Sequence, residues 1–117
     1  MPSADDINRR MRMDLAIKKQ LQSHNDNEDA AHILEHHFIA EDRSALEGVA
    51  RVGRMLGFTA SEITEDTTES GQRYYFFDLL SDSTTRLNEV ARQSILMFSL
   101  GEACGAEYDG WGTLIAK

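Results

Sequence analysis

The pattern of apolar and turn-forming residues along this chain of 117 residues predicts an α+β sandwich. It would be a four-stranded antiparallel sheet with two helices on one face and a further helix ahead of it. Three observations carry that expectation. Between Asp42, which can cap a helix start, and Gly57, which can end one, the residues Leu46, Val49, Ala50, Gly53 and Leu56 share one helical face. Residues 73–80, Arg-Tyr-Tyr-Phe-Phe-Asp-Leu-Leu, are apolar on both faces, as a strand in the middle of a sheet requires. Near the end, Glu107-Tyr108-Asp109-Gly110-Trp111-Gly112-Thr113 alternates like a strand while holding the single Trp and two of the eight glycines.

Taken in order, the elements begin with a helix. Ser3 with Asp6 resembles a capping box, and Ile7, Met11, Leu15 and Leu21 then recur at near-helical spacing as one narrow stripe that must dock on something. Residues 23–29 are a polar loop, so the chain divides into an N-terminal helix and linker over 1–28 and a domain over 29–117. Residues 31–40 fit either period, and their Ile and Phe content favours a strand. The capped helix follows. Phe58 to Thr64 alternates weakly and runs into the acidic, turn-forming 65–71 stretch, and the central strand comes next.

Ser81, Asp82, Ser83 and Thr84 offer N-caps for a second helix with Leu87, Val90, Ala91, Ile95 and Phe98 as its stripe, ending near Gly105. Gly101 inside it should cost about 1 kcal/mol relative to Ala. On the final strand, simple alternation turns Glu107, Asp109, Trp111 and Thr113 one way and Tyr108, Gly110, Gly112 and Leu114 the other. Two right-handed strand–helix–strand crossovers that interleave give the βαββαβ order, a ferredoxin-like sandwich. The preceding helix is expected over a sheet edge or the open sheet face.

Composition narrows the function. Twelve basic against twenty acidic residues give a net charge of −8, the wrong sign for binding that rests on neutralising phosphates. The basic residues Arg9, Arg10, Arg12, Lys18 and Lys19 are diluted by Asp5, Asp6 and Asp14 and read as a solvated helix face. A basic protein partner suits the acidic body better than nucleic acid does. With one cysteine, Cys104, there is no internal disulfide, and its apolar surroundings read as packing. No secretory leader or membrane-spanning run is visible, so a soluble, cytoplasmic protein is expected, with a monomer favoured.

The sharpest catalytic lookalike is His32-Ile33-Leu34-Glu35-His36, an H-x-x-E-H pattern. Zinc chemistry needs it on a helix, where residues four apart bring two imidazoles to one metal. On a strand the two rings share a face about 13 Å apart while the carboxylate points the other way. Glu35 and His37, two apart, with Asp109 from a neighbouring strand, could meet an ion only adventitiously. No nucleophile motif, P-loop or dinucleotide fingerprint is present. A metal-dependent hydrolase built on His32, Glu35, His36 and His37, and a ligand-sensing ferredoxin-like dimer, are the alternatives to a non-enzymatic interaction protein. No cofactor is expected.

Five pieces in order, Glu35-His36-His37, Asp42 to Leu46-Glu47, Leu56-Gly57-Phe58, Asp78-Leu79-Leu80-Ser81 and Glu107 to Thr113, resemble the bacterial regulator of ribonuclease activity B family. The resemblance runs from about Asp29 to Ile115. It implies a ferredoxin-like fold behind a helix, and a protein that binds the C-terminal scaffold half of ribonuclease E, alters the RNA degradosome and lowers its RNA processing. That scaffold is rich in Arg-bearing, largely disordered segments, a fitting partner for an acidic domain. The chain departs from well-known members in its Arg9, Arg10 and Arg12 and in ending at Lys117 without a long acidic tail. The expected contact surface is the sheet face of Glu35, His37, Asp109 and Trp111, with Tyr108 and the acidic 62–69 loop beside it. Trp111 would be the anchor, the carboxylates would bind Arg, and Gly110 and Gly112 would permit close backbone approach.

Overall fold

The computed structural model describes residues 27–113 and, ahead of them, Arg9, Arg12, residues 14–17 and Lys19, all helical. The Ser3 cap and the stripe positions Ile7, Met11 and Leu21 lie outside the described residues. The domain runs β1 (His32–Ala40), α1 (Arg43–Met55), β2 (Thr59–Ala60), β3 (Thr64–Thr67), β4 (Arg73–Ser83), α2 (Leu87–Cys104) and β5 (Glu107–Gly112). The sheet order is β2-β4-β1-β5, with β3 also paired to β4, and every pairing is antiparallel. Because β2 and β3 flank the same side of β4, they are two halves of one edge strand. The order is then that of the ferredoxin-like sandwich.

The break in that edge strand corrects the expected loop over 65–71. Thr59 pairs with Leu80, whereas Thr64 pairs with Phe76, so one extra residue lies between the halves. Ser61 stitches the gap: its N–H donates to the Asp78 carbonyl and its Oγ accepts from the Asp78 N–H. The acidic residues Glu65 and Asp66 sit on β3 because Tyr75 and Tyr74 pair opposite them, and Arg73 binds Glu65 at 2.9 Å. The turn is displaced to Thr68–Gln72, where Thr68 donates to the Gln72 carbonyl at 2.8 Å.

α1 forms as its capping signals direct. The Asp42 side chain accepts from the Ser44 N–H at 3.0 Å, and Gly57 follows the helix at φ +97°. Leu46, Val49, Ala50 and Gly53 are buried, while Leu56, expected on the same face, is exposed beyond the last turn. α2 departs further. β4 runs on through Ser83, so Ser81, Asp82 and Ser83 are strand, Thr84 lies in the link after it, and the helix starts at Leu87 without a side-chain cap. Its buried side holds Val90, Met97, Phe98, Leu100 and Gly101 together with polar Gln93 and Ser94, leaving Leu87 exposed. The stripe rotates because His36 and Ser81 on the sheet offer Gln93, and Asp14 on the N-terminal helix offers Ser94, polar partners that a leucine could not use. A Cβ at Gly101 would lie 2.9 Å from the Ala106 carbonyl oxygen. Glycine there lets α2 approach β5, so the helix-propensity argument has the wrong sign.

The main core gathers Phe38, Leu46, Val49, Phe77, Leu79, Met97 and Tyr108 between the sheet and both helices, with half-buried Cys104 packed against it. A second cluster, Leu34, Val90 and Trp111, takes Ile17 of the N-terminal helix. Asp14, one position from the expected stripe, is 1% exposed, and its Oδ1 accepts from Ser94 Oγ at 3.0 Å and Trp111 Nε1 at 3.1 Å. Leu15, expected in the stripe, is 41% exposed. The helix therefore docks through Asp14 and Ile17, beside α2 on the helix-covered side of the sheet, and not across its open face. Arg9, Arg12 and Lys19 are exposed.

Candidate functional site

Strand alternation sorts the residues of β1 into two faces. His32, Leu34, His36, Phe38 and Ala40 are buried under the helices, and Ile33, Glu35, His37 and Ile39 turn to the open face. Register carries the sorting across the sheet. Glu35 lies opposite Leu80, His37 opposite Asp78 and Ile39 opposite Phe76 on β4. Gly112 lies opposite Glu35, and Glu107 opposite Ile39, on β5.

β5 breaks the alternation. Phe38 pairs with Tyr108 but His36 pairs with Trp111, so two residues, Asp109 and Gly110, stand against His37 alone. Gly110 takes the extra residue at φ +95°, a backbone conformation that costs an L side chain about 1–2 kcal/mol. The bulge returns Trp111 to the same side as Tyr108. Both are buried, at 4% and 2% exposure. The expectation of Trp111 on the open face is corrected accordingly: its indole packs on Leu34 and Val90 and donates to Asp14. Tyr108 is likewise a core residue. Glu35, His37, Asp109 and Gly112 remain toward the open side.

On that face His37 Nδ1 lies 2.7 Å from Asp78 Oδ1, with the side chains 42% and 30% exposed. A Cβ on Gly112 would sit 3.3 Å from His37 Nε2, so the absence of a side chain there gives the imidazole its place. Glu35 is half-buried and Asp109 exposed. Asp78 escaped prediction as a site residue because residues 73–80 read as apolar on both sides. Alternation alone, Tyr74, Phe76, Asp78, Leu80 and Asp82, holds the signal for it.

The neighbouring histidine has a different task. His36 is fully buried, with Nε2 2.9 Å from Gln93 Oε1 and Nδ1 2.8 Å from the Tyr108 hydroxyl. Gln93 Nε2 donates to Glu89, which leaves Gln93 Oε1 to accept from both Ser81 Oγ and His36. Its acceptor role assigns the proton to His36 Nε2, and Nδ1 then accepts from the tyrosine O–H. Burial pushes the His36 pKa below its ordinary value, against the raising effect of the Gln93 hydrogen bond. The Arg92 hydrogen bond, helped by Gln93, holds Glu89 below the usual carboxylate range.

This geometry disposes of the zinc pattern. His32 to His36 are on a strand, His32 Nδ1 bonds the Ala30 carbonyl at 2.8 Å, and both His36 nitrogens are engaged. Glu35 faces away from both rings. Among the described residues, no three His, Cys, Asp or Glu side chains converge as metal ligands. No helix among them is long and apolar enough to cross a membrane.

The fold and the face together define a class: a ferredoxin-like α+β domain with helices on one side and, among its described residues, an uncovered carboxylate-bearing sheet on the other. Residues 12–113 match the family model described as regulator of ribonuclease activity B. The chain belongs to that family. It is 34% identical over 87 residues to the regulator of ribonuclease activity B of Colwellia psychrerythraea, covering 74% of this chain and 75% of that protein. The protein of the same description from Escherichia coli (strain K12) is 32% identical over 99 residues, covering 85% and 71%. That from Xenorhabdus nematophila is 34% identical over 98 residues, covering 84% and 70%.

Proposed function

We propose that this chain is a non-catalytic, cytoplasmic regulator that binds the C-terminal scaffold region of ribonuclease E and lowers its RNA processing within the degradosome. The observation that carries the reading is the open face. Glu35, the His37–Asp78 pair and Asp109 put carboxylates on a sheet face left uncovered among the described residues, in a protein of net charge −8. A polypeptide rich in Arg complements that surface, since guanidinium groups bond carboxylates in pairs. RNA would bring its phosphates against the same charges.

Within this reading Glu35, Asp78 and Asp109 are the contact residues. His37 orients Asp78, and Gly110 and Gly112 shape the strand that borders the face. Tyr108 and Trp111 act from beneath, holding β5 in its bulged register. The test is calorimetric titration with the C-terminal half of the host's ribonuclease E at two salt concentrations. Saturable binding that weakens with salt, and weakens further in Glu35→Gln with Asp109→Asn, is expected. No binding at tens of micromolar with both proteins folded, or binding indifferent to both substitutions, overturns it.

A further inference from the structure

Charge is only half of the open face. Pairing arranges it in rows across the strands: Thr59, Leu80, Glu35 and Gly112; Asp78 and His37; Thr64, Phe76, Ile39 and Glu107; Asp66 and Tyr74. Two residues of strand rise separate successive rows, about 7 Å. The third row is apolar at its centre, and the Tyr74 ring of the fourth adjoins it. Phe76 is 39% exposed on a central strand, its ring 6.1 Å from that of Tyr74, with Ile39 directly across. Glu107 and Asp66 border this patch, and the Asp78–His37 row adjoins it. An aromatic exposed in the middle of a sheet costs hydration free energy that burying it against a partner recovers.

Resting on the proposed function and naming its partner chemistry, we infer that the open face recognises a cationic amphipathic segment of a protein. An apolar or aromatic side chain of that segment covers Phe76 and Ile39. An arginine one row away, about 7 Å along, reaches the Asp78 carboxylate, with Glu35 one row further on. That separation is met by residues two apart on an extended strand or four apart on a helix. Arginine suits the place better than lysine, because its flat guanidinium bonds a carboxylate through two N–H groups and stacks on a ring.

Other occupants fit less well. A second copy of the chain would set Glu35, Asp78 and Glu107 against like charges. Single-stranded RNA could stack bases on Tyr74 and Phe76, but its phosphates would lie over the same carboxylates. A purely basic segment would leave Phe76 and Ile39 in water.

The experiment titrates the whole chain with two peptides of equal length and charge, one alternating Arg with Leu and Phe, the other alternating Arg with Ser. The ribonuclease E C-terminal half is titrated in parallel. The apolar peptide should bind roughly tenfold tighter, the scale of burying part of one large side chain. Phe76→Ser, checked for folding by urea denaturation, should abolish the difference, and Ile39→Thr should reduce it. Equal affinities, or a difference that survives Phe76→Ser, overturn the inference. So does tight binding of a single-stranded RNA oligonucleotide lost in Phe76→Ser, or a dimer in light scattering lost in the same variant. If ribonuclease E binding fails in Glu35→Gln with Asp109→Asn yet ignores Phe76→Ser, the inference falls and the proposed function stands. If the peptides discriminate while ribonuclease E does not bind, the chemistry of the face stands and the identity of the partner falls.

Discussion

His36 makes stability depend on pH in a direction and window that follow from its surroundings. Its Nδ1 accepts from Tyr108 and its Nε2–H donates to Gln93, with the ring fully buried, so protonation in the folded state would set N–H against O–H and bury a charge. Burial accordingly depresses its pKa below the ordinary 6.5. The unfolded chain protonates at the ordinary value, so this stability is fully present above pH 6.5 and is lost as pH falls below it. The unfolded imidazole alone bounds the loss between pH ~7.5 and pH ~5.5 at about RT ln 10, or ~1.4 kcal/mol. The stability tied to the lowered carboxyls of Asp42 and Glu89 fades only below their ordinary values, 3.8 and 4.5, and stays outside this window. Urea denaturation across the range, with constant m-value, measures the total, and an NMR titration of the His36 ring carbons isolates its share. A folded-state His36 midpoint at or above its unfolded value would falsify the reasoning, as would its ring titrating in step with an exposed imidazole.

Three further outcomes test the packing. Gly101→Ala gains about 1 kcal/mol of helix propensity but drives a methyl against the Ala106 carbonyl, an overpacking cost of about 1–3 kcal/mol. A lowered urea midpoint is expected, and a raised one would show that α2 can move off β5. Gly110→Ala should cost about 1–2 kcal/mol and shift emission of the single Trp to longer wavelength as the bulge loosens; unchanged emission and stability would mean the bulge tolerates a side chain. Asp14→Ala removes the acceptor shared by Trp111 Nε1–H and Ser94 Oγ–H, a loss of about 1–3 kcal/mol. The same fluorescence probe should report it, and wild-type emission would show that this contact does not hold the helix.

Much of the fold was legible because its signals are local. The Asp42 cap, the α1 face from Leu46 to Gly53 and the apolar 73–80 run are each written within a few residues, and helix α1 and strand β4 form there. The resemblance rested on short pieces too, and family membership followed. The candidate face was legible in part: Glu35 and His37 share a side by strand period alone.

What tertiary structure decided has one physical character: each case turns on a partner distant in sequence. One extra residue in β5 reverses every later side chain, so Trp111 moves from the expected face to the core. Asp14 displaces Leu15 from the buried side because Trp111 and Ser94 supply donors that no local pattern announces. Gln93 and Ser94 replace the expected α2 stripe because His36 and Asp14 wait for them across the core. The acidic 64–67 segment becomes a strand only because Tyr74 to Phe76 pair alongside it. Composition and period determined which segments would bury apolar surface. Register and paired polar groups, which lower the free energy only once distant parts meet, decided which side chains face the helices and which are left for a partner.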